Sequence, residues 1–115
     1  MSEVEKMYRN AGIKPIVRDN AIGRGYYIEH QRVEEYPPFT AEKQLELIKW
    51  LANYERFCCW KFKPTNEWVI NDDTYMVDGC DIANSDFEEC LASWVNYIWQ
   101  DLTDAERKQI KNILE

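Results

Sequence analysis

A chain of 115 residues with 45% hydrophobic and 14% aromatic side chains fits one domain, 1–115, with a real core, and argues against disorder. Its net charge of -7 disfavours nucleic acid as a direct partner, because affinity for phosphates depends on Lys and Arg. No apolar run approaches the roughly 20 residues that span a bilayer, and Met1 to Lys6 lack an apolar signal core, so a cytoplasmic protein with no membrane partner is expected.

In chain order, residues 2 to 11 predict a short helix. Ser2 and Glu5 have the spacing of a capping box, and Gly12 and Pro15 stop the helix. Residues 16 to 38 are the least regular stretch, with a possible short strand at Arg24–Ile28 and an extended Tyr36-Pro37-Pro38. Thr40 opens a strong helix with Glu42 in its first turn. Ala41, Leu45, Ile48 and Ala52 form one apolar stripe on it, with Leu47, Leu51 and Tyr54 beside it.

Strands are predicted at 56–63, 67–70 and 74–77, separated by turns at Pro64-Thr65-Asn66 and Asn71-Asp72-Asp73. Ser85 and Glu88 predict a second capping box. Phe87, Leu91, Trp94, Val95 and Ile98 then fall on one helical face. Thr103 and Glu106 predict a third box, opening a last helix with Ala105, Ile110, Ile113 and Leu114 as its apolar contacts. The expected fold class is α+β: a three-stranded antiparallel β-meander packed against about four helices, in the order α-α-β-β-β-α-α.

The charge is uneven. Residues 64 to 106 carry 11 acidic residues and no Lys or Arg, whereas residues 1 to 63 carry 11 basic and 9 acidic. Such a block creates a one-signed field that repels nucleic acid and attracts basic protein surfaces. A solvated face that aids solubility is the plainer alternative.

Catalytic constellations are not recognisable. His30 is the only histidine, so any triad would have to use it, and a surface position is the expectation. Gly23-Arg24-Gly25 lacks the third glycine of a phosphate loop and suits a turn. Anchoring a calcium loop on Gly79 leaves Asp78 as the one carboxylate among the ligand positions tested. Glu106-Arg107-Lys108 has nuclease-like spacing but falls inside a predicted helix. Cys58 and Cys59 are strand neighbours on opposite faces, and no C-x-x-C occurs, so Cys58, Cys59, Cys80 and Cys90 are expected as small buried hydrophobes. No metal, cofactor or enzymatic activity is expected. Trp94 is expected in the core, and Trp99, near a helix end, is the better interface candidate.

Three segments carry a resemblance: Val4–Ile13, the run Tyr36-Pro37-Pro38-Phe39-Thr40-Ala41-Glu42-Lys43-Gln44-Leu45-Glu46-Leu47-Ile48-Lys49, and Trp94–Thr103 with its Trp99-Gln100-Asp101-Leu102-Thr103, continuing to Ile110. Together they resemble a family of small proteins encoded by phages and prophages of low-GC Gram-positive bacteria. The resemblance implies a phage accessory protein in the bacterial host cytoplasm. CRISPR effectors carry basic channels that an acidic surface can occupy. The expected function is therefore non-enzymatic inhibition of a host defence nuclease, of the anti-CRISPR type, as a DNA mimic competing with nucleic acid. Asp72, Asp73, Asp78, Asp81, Asp86, Glu88 and Glu89 would present the charge to the host protein's basic surface, with Trp99 as an aromatic anchor. The alternative is a protein-binding accessory module in phage replication or regulation. A small-molecule role stays open.

Overall fold

The helices begin where side chains can satisfy their first N–H groups. The computed structural model describes residues 2–23, 25–26, 28–55, 57–72 and 81–115. Ser2 Oγ accepts the Glu5 N–H at 3.1 Å and starts α1 (Glu3–Asn10), which buries Met7 and Tyr8. Gly12 ends it at φ +76, a conformation that a side chain would strain. Thr40 Oγ1 accepts the Lys43 N–H at 3.3 Å and starts α2 (Ala41–Tyr54). Thr103 and Glu106 form both bonds of their box, at 3.2 and 2.8 Å, and start α4 (Asp104–Leu114).

Between these, α3 (Phe87–Ile98) runs into a 3-10 turn over Trp99–Asp101. Its cap is Asp86, whose Oδ1 accepts the Glu88 N–H at 3.0 Å, and not the predicted Ser85. Asn84 holds Asp86 in place by accepting its N–H at 2.9 Å. With Asp86 so anchored, the first helical residue moves to Phe87 and Ser85 stays outside.

The predicted apolar stripe of α2 is corrected. Leu45 is 52% exposed and Ala41 and Ala52 are exposed, while Leu47 and Leu51 are buried. The aromatic residues set this rotation. Trp50 stacks on Tyr54 at 5.0 Å, and its indole N–H donates to Gln109 Oε1 of α4 at 2.7 Å. At 100° per residue, turning Trp50 and Tyr54 toward α4 turns Leu45 to solvent.

The strands form two sheets. β1 (Ile16–Ile22) and β2 (Glu29–Glu35) make an antiparallel hairpin, pairing Ile16 with Glu35 through Ile22 with Glu29. This overturns the expectation of an irregular 16–38, and of a strand at 24–28, where Gly25 and Tyr26 lie in the connecting turn. Opposite positions such as Asp19 with Arg32 and Asn20 with Gln31 make both faces polar. The apolar alternation that marks a half-buried strand is therefore missing. The hairpin projects from the body, giving extents of 63 × 38 × 25 Å and a radius of gyration of 17.5 Å. A compact domain of about 100 residues has about 13 Å.

The second sheet joins β3 (Cys58–Phe62), β4 (Glu67–Asn71) and β5 (Ile82–Asn84) as an antiparallel meander in that order. The β3–β4 turn spans Lys63–Asn66, with the Asn66 N–H donating to Lys63 O at 3.2 Å and Asn66 at φ 57. The strand predicted at 74–77 lies outside the described residues, and β5 is the third strand of the sheet. The observed order is α-β-β-α-β-β-β-α-α, not α-α-β-β-β-α-α.

The core gathers around α3. One side of this helix covers β4 and β5, and another lies against α1. Cys90, Leu91, Ala92, Trp94, Val95 and Ile98 are all buried. A helix apolar on several sides is one enclosed by neighbours. Trp68 meets Phe87 edge-on at 5.2 Å, and the Cys90 thiol lies 3.4 Å from the Trp68 and Ile82 carbonyls. Leu47, Leu51, Ile110 and Leu114 close the core from α2 and α4.

Tyr8 is fully buried, stacked on Tyr36 at 5.7 Å and edge-on to Phe39 at 6.4 Å, yet its hydroxyl has no hydrogen-bond partner among the described residues. Tyr8→Phe is expected to stabilise the fold by about 1 kcal/mol, since it removes an unsatisfied buried polar group. Thermal melts should show Tm rising by about 4 °C.

Burial, and then the negative charge of Glu88, push the Tyr8 pKa from 10.0 up to about 12. Burial is also the main cause that raises Cys90 from 9.0 to about 11, with Cys59 next. On alkaline titration the unfolded chain loses these protons first. It then binds fewer protons than the folded chain, so stability falls as pH rises. The fall should begin near pH 9 and continue to about 12. Tyr8→Phe should remove the Tyr8 contribution, which runs from pH 10 to about 12, and leave that of Cys90 between 9 and about 11, measured by urea denaturation at pH 8 and at pH 11.

Candidate functional site

The acidic residues collect where helices begin. Carboxylates are stabilised there by the helix dipole and by free N–H groups. Glu3 and Glu5 lie in the first turn of α1, Glu42 in that of α2, and Glu88 and Glu89 in that of α3, after the cap Asp86. Hydrogen bonds draw the three starts together. Glu89 Oε2 accepts the Glu3 N–H at 2.7 Å. Gln44 of α2 donates from Nε2 to Phe39 O at 2.8 Å and to Glu88 Oε1 at 3.2 Å. The result is an acidic end of the helical body, with Lys43 of α2, over the Tyr8 ring at 5.9 Å, as a cation within it.

The sequence-predicted residues divide on this surface. Asp86, Glu88 and Glu89 share the acidic end. Asp81 is exposed just before β5 and accepts from Asn71 Nδ2 at 2.8 Å. Asp72 follows β4 and is half-buried. Asp73 and Asp78 lie outside the described residues. Trp99 is not part of the group: it follows the far end of α3, 12 residues long, about 18 Å at 1.5 Å per residue. Its carbonyl accepts from Arg107 Nε and Nη2 at 3.1 and 3.0 Å, and the guanidinium lies 5.6 Å from its ring. The indole is a half-buried wall against Arg107, not a free anchor beside the carboxylates.

Two members of the set also hold the fold. Asp86 caps α3 and Glu89 caps α1, so their carboxylates face backbone N–H groups. Asp86→Ala is expected to cost about 1 kcal/mol, whereas Glu88→Gln, at an exposed position, should stay within about 0.5 kcal/mol of wild type. Parallel urea melts check this.

Sequence reasoning missed Glu3, Glu5 and Glu42, because it sought the acidic surface inside 64–106 alone. The available signal was their place in the first turns of helices. It also missed the polar seam between α1 and α3. There Asn96 Nδ2 donates to Glu3 O at 2.9 Å and to Glu3 Oε2 at 2.8 Å, and Asn10 Nδ2 donates to Asn96 Oδ1 at 3.1 Å.

Other candidates fall elsewhere. His30 is exposed on β2, opposite Ala21. Glu106 serves its helix cap. The register puts Cys58 opposite Asn71 and Cys59 opposite Ile70, so the two thiols take opposite faces. Of the described cysteines Cys90 is buried, Cys58 is half-buried and Cys59 is exposed, which corrects the expectation of uniformly buried thiols. β3 is the sheet edge beyond α3, which leaves Cys59 uncovered. Cys80 lies outside the described residues. On the other face of the sheet Trp60 and Phe62 are 40% and 47% exposed. Trp94 is in the core, with Tyr97 tilted against it at 5.6 Å.

Among the described residues no helix is long and apolar enough to cross a membrane. No family model, curated protein or solved structure matches the chain.

Proposed function

We propose that the chain is a non-enzymatic phage protein that inhibits a host defence nuclease by setting its acidic end in a basic nucleic-acid channel. The observation that carries this reading is the convergence of three helix starts and their carboxylates, tied by the Glu3–Glu89 and Gln44–Glu88 hydrogen bonds. A fixed array of negative charge can mimic phosphates without paying for the ordering of loose side chains. Glu89 and Asp86 hold the array. Glu5, Glu42 and Glu88 of this end, with Asp81 before β5, are exposed and meet the partner. Docking of this kind is fast and weakens with salt.

Affinity capture from lysate of a bacterium carrying CRISPR effectors, at low and high salt, tests it by mass spectrometry. A guide-loaded nuclease retained at low salt and released by target DNA supports the proposal. Failure to retain a purified effector of the same host argues against it. The exposed Trp60 and Phe62 favour a second reading, an accessory module in phage replication or regulation that binds through this sheet face. Capture that is insensitive to salt and lost on Trp60→Ala would select it.

A further inference from the structure

At the other end of the helical body the charge reverses. A cleft of about 240 Å³ lies between the end of α1 and the start and face of α4, lined by Asn10, Gly12, Trp99, Arg107, Lys108 and Lys111 among others. Across Gly12 it adjoins a depression of about 360 Å³ to which Arg9 and Lys14 contribute. Five cations therefore surround one shared glycine, and among the described residues Glu34 is the only carboxylate in either lining. Gly12 has nothing within 4 Å of where a side chain would start, so the floor between the two is open.

These cations are not simply partners of nearby acids. The chain has 21 acidic residues to 14 basic, so carboxylates are abundant. Even so, Arg9, Lys14 and Lys108 make no ion pair among the described residues. Lys111 pairs with Glu115, at 3.7 Å. The walls are held in place without a ligand. Arg107 is fixed by its two bonds to the Trp99 carbonyl and its stack on the ring, and Asn10 is fixed by Asn96. A preorganised cationic cleft beside an aromatic wall suits phosphate oxygens on one side and a flat ring on the other.

We propose that this cleft binds a small phosphorylated molecule, of the nucleoside diphosphate class, with its phosphates among Arg9, Lys108 and Lys111 and its base toward Trp99. The overall charge of -7 favours a small ligand over a long polyanion, because a strand leaving the cleft meets a net-negative molecule. This site is independent of the acidic end and stands whether or not that end binds a nuclease.

Isothermal titration calorimetry of the full chain at low ionic strength tests it, with ADP, inorganic pyrophosphate and a short single-stranded oligonucleotide as probes. The variant Arg9→Ala/Lys108→Ala changes two exposed side chains and should keep the fold, as checked by circular dichroism. Lys63→Ala, in the β3–β4 turn, is the control. ADP should bind in the micromolar to low millimolar range, and about tenfold more weakly to the double variant, with the control unchanged. Pyrophosphate binding that the double variant also loses supports the phosphate site. No heat with ADP or pyrophosphate overturns the proposal. Binding that the double variant leaves intact, or binding confined to the oligonucleotide, overturns it too.

Discussion

If the acidic end docks in a nuclease channel as proposed, charge reversal of Glu5, Asp81 and Glu88 to lysine should lower affinity for that nuclease by about 100-fold or more, which is about 2.8 kcal/mol. Each side chain is exposed, so the change falls on the proposed docking surface and not on the core. A like-charge contact then replaces an attractive one, and in a desolvated channel such a reversal costs several kcal/mol. Folding stability should fall by about 1–2 kcal/mol, because Glu5 and Glu88 exchange a favourable charge for an unfavourable one in the first turns of α1 and α3. Asp81 and Glu88 also lose one exposed hydrogen bond each, to Asn71 and Gln44, so binding is compared under conditions in which circular dichroism shows both proteins folded. Surface plasmon resonance at two salt concentrations measures the effect. Wild-type affinity should fall with salt, and the triple variant should show little left to screen. Equal affinity of the two proteins would remove these three carboxylates from the interface.

The second large effect is on the core. Leu91→Ala is expected to cost about 2–5 kcal/mol, because Leu91 has no exposed surface and its neighbours on α3 are buried as well. Tm should drop by about 10 °C or more. Leu45→Ala is the contrasting case: with 52% exposure the side chain loses little contact with the protein, and stability should change by less than about 0.5 kcal/mol. Urea denaturation of both variants checks the pair. A large loss at Leu45 would place the apolar stripe of α2 on the side that the structure turns to solvent.

That contrast marks how far local pattern reaches. Caps were legible where the side chain and its N–H are close in sequence: the hydroxyls of Ser2, Thr40 and Thr103 all accept as expected, but the box expected at Ser2 and Glu5 forms only this one bond among the described residues, whereas Thr103 and Glu106 form both. The buried face of α3 was legible because Leu91, Trp94, Val95 and Ile98 leave no other reading. The rotation of α2 was not, since it depends on Trp50 meeting Gln109, 59 positions away. Asp86 displaced Ser85 as a cap through Asn84, a bond that spacing rules for Ser and Glu do not include. The β1–β2 hairpin escaped notice because neither face is apolar.

The site shows the same limit. Counting charge along the chain identified Asp72, Asp73, Asp78, Asp81, Asp86, Glu88 and Glu89 as one block, of which Asp73 and Asp78 lie outside the described residues. Tertiary contacts then added Glu3, Glu5 and Glu42 from distant turns and separated Trp99 from the group. The opposite, cationic end was illegible for the same reason. Arg9 and Lys108 are 99 positions apart in the chain and line adjoining clefts.

Competition for a purified, guide-loaded CRISPR effector tests the central proposal most directly. Labelled target DNA is bound to the effector, and the protein or its Glu5→Lys/Asp81→Lys/Glu88→Lys variant is titrated against it at low salt. Displacement of the DNA by wild type and not by the variant is the predicted result. Equal displacement by both, or none by wild type at concentrations well above that of the effector, would contradict it.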